Sequence, residues 1–201
     1  SIFDHMDAAS DLSTCFRYSY GVGTGVMGVP NDDSRWGNCY GNIRATNHMF
    51  ERAVSSYTGN LADIKKELAE GHFFRAYNYF YLLKFFGGVP VVTKVLDVTS
   101  PELYGKRNSR YEVVNLILSD LDEAIAGLPL EQNITSADKG KISKQAAQAF
   151  KARVLLYEAT WRKYNGTSTD FEGSAGPASD QVNAFLEESV QLSETVMGDA
   201  A

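Results

Sequence analysis

Apolar residues recur every three or four positions along most of the chain, which is the spacing of one face of an α-helix. A capping box, Ser109-Arg110-Tyr111-Glu112, marks the start of one such segment, and Pro129 closes it. Asn60, Ser143 and Asp180 are candidate caps for others. The pattern predicts an all-α protein with helices over residues 42–58, 61–86, 110–128, 143–163 and 180–197.

The second predicted helix is the most aromatic part of the chain. Its rings are distributed around the helix axis, and a helix that is apolar on every side is normally buried on every side. Gly87-Gly88-Val89-Pro90 ends it, because Gly tolerates a left-handed cap and Pro cannot continue the hydrogen-bond ladder. We expect this helix to lie inside the fold. The rings are those of Phe73, Phe74, Tyr77, Tyr79, Phe80, Tyr81, Phe85 and Phe86.

Consecutive helices are expected to pair as tetratricopeptide-like stacked hairpins, 42–58 with 61–86 and 110–128 with 143–163. Each hairpin can bury its apolar face only against a neighbour. Arg75-Ala76-Tyr77 and Lys151-Ala152-Arg153 align across two such units, each of about 34 residues. The helix over 180–197 lacks a partner in this scheme. We therefore expect the scaffold, residues 42–201, to be truncated at its C-terminus, with the natural protein continuing beyond Ala201.

The first 41 residues differ in composition from the remainder. They are rich in Gly, Asn, Asp and Ser, and six of the 17 glycines lie between Gly21 and Gly41. Regular helix is unfavourable in such a segment. We expect residues 1–41 to form a long irregular loop region that packs on the helices.

Composition and charge exclude several classes of function. The chain has 201 residues, of which 44% are hydrophobic and 22% are charged, as in an ordinary globular protein. A net charge of -6 without any basic block disfavours a nucleic-acid partner. No apolar stretch approaches the roughly 20 residues that span a bilayer. Cys15 and Cys39 are too few for a disulfide framework, and either two free thiols or one disulfide is compatible with them.

Motifs for catalysis, cofactors and metals are weak or incomplete. Residues 23–28 match G-x-G-x-x-G, but Pro30-Asn31-Asp32-Asp33 follows where a dinucleotide-binding helix should open. The three histidines are far apart, and Asn31-Asp32-Asp33-Ser34 lacks the spacing of a calcium loop. Acidic neighbours such as Glu187 and Glu188 are expected on solvated helix faces. We therefore expect no catalytic residue, no cofactor and no metal, and hence no enzyme.

Aromatic residues near polar side chains are the more suggestive feature. Arg35, Trp36, Asn38 and Tyr40 combine flat apolar faces with groups that form planar hydrogen bonds. A sugar ring can stack its C–H face on an aromatic ring while its hydroxyls meet Asn or Arg. These four residues are the candidate ligand site. Alternatively, Trp36 anchors the loop region on the helices.

Residues 69–94 resemble the SusD/RagB family, the outer-membrane nutrient-binding lipoproteins of Bacteroidota. The family shows an Arg-Ala-x-x-Tyr-Phe helix that runs into Phe-Gly-Gly-Val-Pro, here Arg75, Ala76, Tyr79 and Phe80 followed by residues 86–90. Residues 40–47 resemble the earlier family helix with its Ile-x-x-x-Asn core, here Ile43 and Asn47. Residues 140–157 resemble the Lys-Ala-Arg-Val-Leu-Leu-Tyr helix of the family.

The resemblance implies a helical tetratricopeptide-like scaffold, an outer-membrane location exposed at the cell surface, and a SusC-like TonB-dependent transporter as partner. The family's lipidated cysteine would precede this fragment, since neither Cys15 nor Cys39 stands at a chain start. Contact with the membrane is then expected only through that lipid anchor. The matching motifs concern helix packing, so they transfer no ligand residue.

The function expected from the residues and the resemblance together is binding. The protein captures an oligosaccharide and delivers it to the transporter without breaking a bond. Two alternatives remain open at this point. One is a helical protein-interaction scaffold without a small ligand, and the other is a helical carbohydrate-active enzyme.

Overall fold

The structure, a computed structural model, describes residues 32–166 and 181–199. These residues form helices, turns and extended segments, and they contain no strand, which confirms the predicted all-α class. Short 3₁₀ turns precede or connect the helices at Leu61–Ile64, Pro101–Tyr104, Glu131–Asn133 and Ser136–Asp138. The α-helices are α1 (Ser34–Ser55), α2 (Lys65–Phe86), α3 (Arg110–Gly127), α4 (Lys144–Asn165) and α5 (Val182–Asp199).

The predicted helix caps are present wherever the structure describes them. At the start of α3 the Glu112 amide donates to the Ser109 hydroxyl at 3.2 Å, and the Ser109 amide donates to the Glu112 carboxylate at 2.8 Å. The hydrogen bond from the Ser109 amide is the largest contribution to the lowered pKa of Glu112. Ser143 caps α4, and Asn60 caps a 3₁₀ turn rather than an α-helix. The predicted cap at Asp180 lies outside the described residues.

Helix α1 begins at Ser34, eight residues before the predicted start, so residues 34–41 are helical rather than irregular. Gly37 and Gly41 lie inside the helix, where each costs about 1 kcal/mol relative to Ala. Burial of Cys39 and Ile43 on the inner face outweighs that cost. Cys39 is a free thiol, and burial raises its pKa. The predicted loop over residues 1–31 lies outside the described residues.

The predicted pair α3–α4 is in contact, but neither predicted pair makes the most extensive contacts. The closest backbone approaches join α2 to α3 and α4 to α5, so α5 has a partner. Small residues permit these approaches: Gly127 on α3 faces Ala69 on α2, and Ser189 on α5 donates to the Ala152 carbonyl on α4 at 2.9 Å. The spacing of apolar residues does not show which two helices will meet at such small residues. Helix α5 is therefore not unpaired, and continuation beyond Ala201 stays a prediction.

The aromatic helix α2 is buried on most of its circumference but not on all of it. Tyr79 and Phe80 are buried, and Phe80 packs on Phe150 of α4 with ring centroids 5.5 Å apart. Phe74 and Tyr77, however, are 47% and 48% exposed. The prediction of complete burial is wrong for this stripe, because no helix of the described part covers it. Phe85 continues the exposed stripe toward the helix end.

A buried ion pair joins α2 to α3 and reaches α1. Arg75 donates through Nε and Nη2 to the two carboxylate oxygens of Asp120, each at 2.7 Å. His72 Nδ1 lies 2.7 Å from the same carboxylate, and Arg75 Nη1 donates to Asn47 of α1 at 2.9 Å. Burial raises the pKa of Asp120, but the bonds from Arg75 and His72 outweigh burial and leave the pKa lowered. The Arg75 guanidinium thus connects three helices.

Two further charge clusters hold the later helices together. Glu158 of α4 accepts from Arg110 of α3 and from Arg162, both at 2.9 Å, and is 1% exposed. Lys151 of α4 donates to Asp122 of α3 at 2.6 Å and to Glu188 of α5 at 2.5 Å. Acidic side chains that the sequence assigned to solvated faces therefore contribute to packing.

Replacing Asp120 by Asn should destabilise the protein by about 3 kcal/mol, since the Arg75 charge then stays buried without its counter-charge. The exposed Glu123 on the same helix offers a control, and Glu123→Gln should change stability by less than about 0.5 kcal/mol. Urea unfolding followed by circular dichroism measures both. Equal stability of the two variants would contradict the role given to Asp120.

The pH dependence gives a second readout of the same pair. Because the folded pKa of Asp120 is lowered, its contribution is present above the unfolded pKa of about 3.9 and is lost as pH falls through the lower folded value. The stability advantage of the wild type over Asp120→Asn should therefore shrink between about pH 5 and about pH 3. An advantage that grows toward acid would contradict this assignment.

Two glycine substitutions should act in opposite directions. A Cβ at Gly127 would lie 2.5 Å from the Ala69 Cβ and 3.1 Å from the Lys65 carbonyl oxygen, so Gly127→Ala should cost about 1–3 kcal/mol. A Cβ at Gly41 meets no atom of the described residues within 4 Å, so Gly41→Ala should stabilise by about 0.5–1 kcal/mol. Thermal unfolding checks both signs. A rise in Tm for both variants would show that α2 and α3 do not pack this closely.

Candidate functional site

Side chains of α1 and α2 hold the extended segment that follows α2. The Tyr79 hydroxyl accepts from the Val92 amide at 2.7 Å and donates to the Val92 carbonyl at 3.0 Å. Asn47 Nδ2 donates to the carbonyls of Val92 and Lys94 at 2.9 and 3.3 Å. Side chains thus take the place of a neighbouring strand and satisfy this backbone.

Two more side chains of α1 extend the same arrangement. The Tyr40 hydroxyl donates to the Pro90 carbonyl at 2.6 Å, and Arg44 Nη1 donates to the Leu96 carbonyl at 2.6 Å. Burial, followed by the nearby Tyr79 phenol, raises the pKa of Tyr40, and burial raises the pKa of Tyr79 to about 12. Both phenols therefore stay protonated and act as donors.

A groove of about 660 Å³ runs between α1 and this segment, and we call it the Trp36 groove. Its volume falls in the range of about 300–1,000 Å³ that is typical of small-ligand sites. Its wall combines two aromatic rings with aliphatic side chains and four charged groups. The lining residues are Trp36, Tyr40, Ile43, Arg44, Pro90, Val92, Lys94, Leu96, Asp97, Val98, Glu102 and Leu103.

The aromatic end of the groove is a small cluster of rings. Trp36 lies 5.0 Å from Tyr40 with the planes tilted by 46°, and it meets Phe86 edge to face at 5.2 Å. Trp36 is half-buried and packs on the main hydrophobic core. The ring thus contacts the helical core and lines the groove as well, and the alternative that it anchors the loop region on the helices stays a prediction.

The four predicted site residues do not all come together. Trp36 and Tyr40 share one face of α1 and both line the groove. Asn38 is exposed elsewhere on the helix, and the guanidinium of Arg35 lies over the Phe85 ring at 4.4 Å. All four residues are helical rather than in a loop. The direction in which each side chain points follows from the rotation of about 100° per residue along an α-helix. Arg35 and Asn38 are not among the lining residues.

Sequence reasoning missed the charged groups of the groove. Arg44 lies one helical turn after Tyr40, a spacing that could have placed it on the same face. Lys94 and Glu102 form an ion pair at 2.5 Å across the loop, and Asp97 accepts from the amide and hydroxyl of Thr99 at 2.7 Å. No local sequence pattern predicts this ion pair or these hydrogen bonds, because they depend on how the loop folds.

The two acids of the groove are poorly suited to proton donation. Hydrogen bonds from Thr99 lower the pKa of Asp97, and the hydrogen bond from Lys94 lowers the pKa of Glu102. A general acid in glycoside hydrolysis needs a raised pKa. Across residues 32–166 and 181–199, no three His, Cys, Asp or Glu side chains come together as a metal site. Neither acid of the groove thus has the raised pKa of a general acid.

A family model described as starch-binding and associating with the outer membrane matches residues 29–156. The chain belongs to the SusD-like family. A SusD-like protein of Formosa agariphila is 34% identical over 108 residues, which cover 53% of this chain and 20% of the relative. The family assignment agrees with the resemblance in the helix motifs.

Solved structures of SusD-like proteins share the fold. One from Bacteroides fragilis superposes with a TM-score of 0.62 at 31% identity, covering 73% of this chain and 28% of that one. A laminarin-binding SusD-like protein gives a TM-score of 0.56 at 27% identity, covering 68% and 30%. This SusD-like chain thus spans less than a third of the length of each of these relatives. Among its described helices, none has the length and apolarity needed to span a membrane.

Removing the Tyr79 hydroxyl should destabilise the protein by about 1–3 kcal/mol, because Tyr79→Phe leaves the partly buried Val92 amide without its acceptor. Tyr104→Phe is the control, since that side chain is 83% exposed. Urea unfolding compares the two variants. If Tyr79→Phe unfolds at the same urea concentration as Tyr104→Phe, the segment over 90–96 is not held in this way.

Proposed function

We propose that this chain is part of a cell-surface protein that captures oligosaccharides and delivers them to a TonB-dependent outer-membrane transporter. The Trp36 groove in a SusD-like chain carries the proposal. It offers rings for stacking beside charged groups that can bind hydroxyls, at a volume suited to a few sugar rings. Binding in it requires no bond to be broken.

The groove divides the recognition between two kinds of contact. Trp36 and Tyr40 supply the apolar surface, and the Tyr40 hydroxyl is already used by the Pro90 carbonyl. Lys94, Asp97 and Glu102 supply donors and acceptors at the rim. A saccharide presents both C–H faces and hydroxyls, so it can engage the two kinds of group at once.

A purely binding role is favoured over catalysis. Asp97 and Glu102 have lowered pKa values and are held by their own loop partners. Neither is poised to protonate a leaving group. The carbohydrate-active enzyme considered from the sequence has no support in this groove.

The relatives suggest the ligand class and the cellular setting. One similar structure is a laminarin-binding protein, and the family model describes starch binding in association with the outer membrane. We infer that a neutral glucan is the ligand of the Trp36 groove. Surface exposure through a lipid anchor outside this chain, and transfer to a SusC-like transporter, follow as parts of the same proposal.

Replacing Trp36 by Ala should weaken glucan binding by about 1–2 kcal/mol, which is the loss of one stacking contact and corresponds to roughly 5- to 30-fold. Laminarin and starch serve as probes in affinity electrophoresis, and an oligosaccharide of the retained polymer is then titrated by calorimetry. Tyr164→Ala, at a ring that is 77% exposed on α4, is the matched control.

The Trp36→Ala variant distinguishes loss of the binding site from loss of the fold. Trp36→Ala should keep a helical circular dichroism spectrum while its affinity falls, and Tyr164→Ala should bind as the wild type does. Unchanged affinity of Trp36→Ala would remove the groove from the proposal. Failure of both polymers to bind would remove neutral glucans as the ligand.

A protein-interaction scaffold remains the second candidate, favoured by one observation. Val98 and Leu103 at the groove and Tyr104 next in the chain have 83%, 53% and 83% of their surface exposed. Exposed apolar groups that lie together can mark a protein contact. Capture of a purified SusC-like transporter that is lost in Tyr104→Ser, without binding of either glucan, would favour this candidate.

A further inference from the structure

A second groove lies between α2 and the start of α4, on the exposed aromatic stripe of α2. It has a volume of about 630 Å³, and we call it the α2–α4 groove. It shares no lining residue with the Trp36 groove. The lining residues are Asn42, Phe73, Phe74, Tyr77, Asn78, Ile142, Ala146, Ala149, Phe150 and Arg153.

Aromatic faces form most of this groove. Tyr77 and Phe150 lie 5.6 Å apart with their planes tilted by only 34°, so the two rings form a nearly continuous apolar surface across α2 and α4. Phe74 extends the surface by one helical turn, and its ring and that of Tyr77 are each about half exposed. Ala146 and Ala149 on the α4 side leave these rings open. Such a surface suits a flat ligand face.

The cations beside this groove are solvent-exposed, and they differ in their partners from the buried cations of the helical core. Arg75, Arg110 and Lys151 each bind a carboxylate. Arg153 at the groove and the neighbouring Lys84 have no carboxylate within 4.0 Å in residues 32–166 and 181–199, although the whole chain carries a net charge of -6. Burial, followed by the charge of Arg153, lowers the pKa of Lys84. Lys84 Nζ lies 5.1 Å from the centroid of the Phe80 ring and 5.3 Å from that of Tyr81, and neither cation has a counter-charge among the described residues.

Amide and hydroxyl groups complete the wall. Asn42 Nδ2 donates to Asn78 Oδ1 at 3.1 Å, and Asn78 Nδ2 donates to the Phe74 carbonyl at 2.7 Å. This chain of bonds fixes Asn42 and leaves its Oδ1 without a hydrogen bond to any described residue. The Tyr77 hydroxyl is also without such a bond. Both groups are able to meet ligand hydroxyls.

We propose that the α2–α4 groove binds an oligosaccharide that contains uronic acid. Sugar rings stack on Tyr77 and Phe150, the carboxylate binds Arg153 with Lys84 beside it, and hydroxyls meet Asn42 Oδ1 and the Tyr77 hydroxyl. The proposal rests on the proposed function only in taking a saccharide as the ligand. It assigns a separate site and a separate, acidic class of sugar.

The combination of groups selects this class over the alternatives. A neutral sugar would leave the two cations uncompensated, whereas a carboxylate offsets their repulsion. An inorganic anion would use the cations and leave the aromatic surface empty. A uronate has a charge, a C–H face and several hydroxyls within one ring, so it engages all three features together.

The test uses three defined probes, namely trigalacturonate, a mannuronate trimer and a glucuronate trimer, titrated by calorimetry into the complete chain. At least one should bind, more weakly as NaCl is added, because part of the attraction is ionic. The methyl ester of that trimer is the matched neutral ligand and should bind at least about tenfold more weakly.

Variants locate the site. Arg153→Ala should weaken binding of the uronate trimer at least about tenfold, and Arg153→Lys should recover part of the loss because it restores the charge without the planar fork. Tyr77→Ala should weaken it at least about fivefold through lost stacking. Arg52→Ala, at an exposed arginine on α1, is the charge-matched control and should bind as the wild type does.

Failure of this site is distinguishable from failure of the proposed function. Trp36→Ala should leave uronate binding unchanged, and Arg153→Ala should leave glucan binding unchanged. The inference is overturned if none of the three trimers binds, if the ester binds as tightly as the acid, or if Arg153→Ala and Tyr77→Ala both bind like the wild type. Loss of glucan binding alone counts against the Trp36 groove and leaves this inference standing.

Discussion

The buried ion pair between Arg75 and Asp120 is the contact on which the first half of the structure depends. Its two bonds of 2.7 Å join α2 to α3, and the remaining nitrogen of Arg75 binds Asn47 of α1. Asn47 in turn donates to the carbonyls of Val92 and Lys94. A charge pair inside the helical core thus fixes a loop that has no strand partner of its own. Loss of either charge leaves the other buried and uncompensated, so the arrangement is held as a unit.

This constraint explains why the candidate sites lie where they do. The segment over 90–96 forms one wall of the Trp36 groove, and α1 forms the other, so both walls are positioned through Asn47 and Tyr79. The α2–α4 groove has a different origin: it lies on a stripe of α2 that no described helix covers. Residues next to each other on α1, Asn42 and Ile43, line the two grooves separately. A rigid helical frame therefore presents two surfaces of different charge.

Local signals in the sequence predicted the helices well, and long-range contacts escaped them. Ser109 and Glu112 form the predicted capping box because both partners lie within one turn. The start of α1 was missed because tertiary burial of Ile43 outweighs the cost of Gly37 and Gly41. The closer pairs, α2 with α3 and α4 with α5, were missed because contacts at small residues such as Gly127 and Ala69 set them, and apolar spacing does not encode such contacts. Trp36 and Tyr40 could be chosen by residue type, whereas Lys94 and Glu102 depend on how the loop folds back.

Hydrogen–deuterium exchange of the amides over 90–96 tests most directly whether Arg75 holds the groove wall. The Val92 amide donates to Tyr79 and the Val91 amide to Asn108, so both report on this segment. In Arg75→Lys, which keeps a charge for Asp120 but loses the bond to Asn47, these amides should exchange at least about tenfold faster while amides of α5 keep their protection. Exchange over 90–96 that matches the wild type would contradict the account.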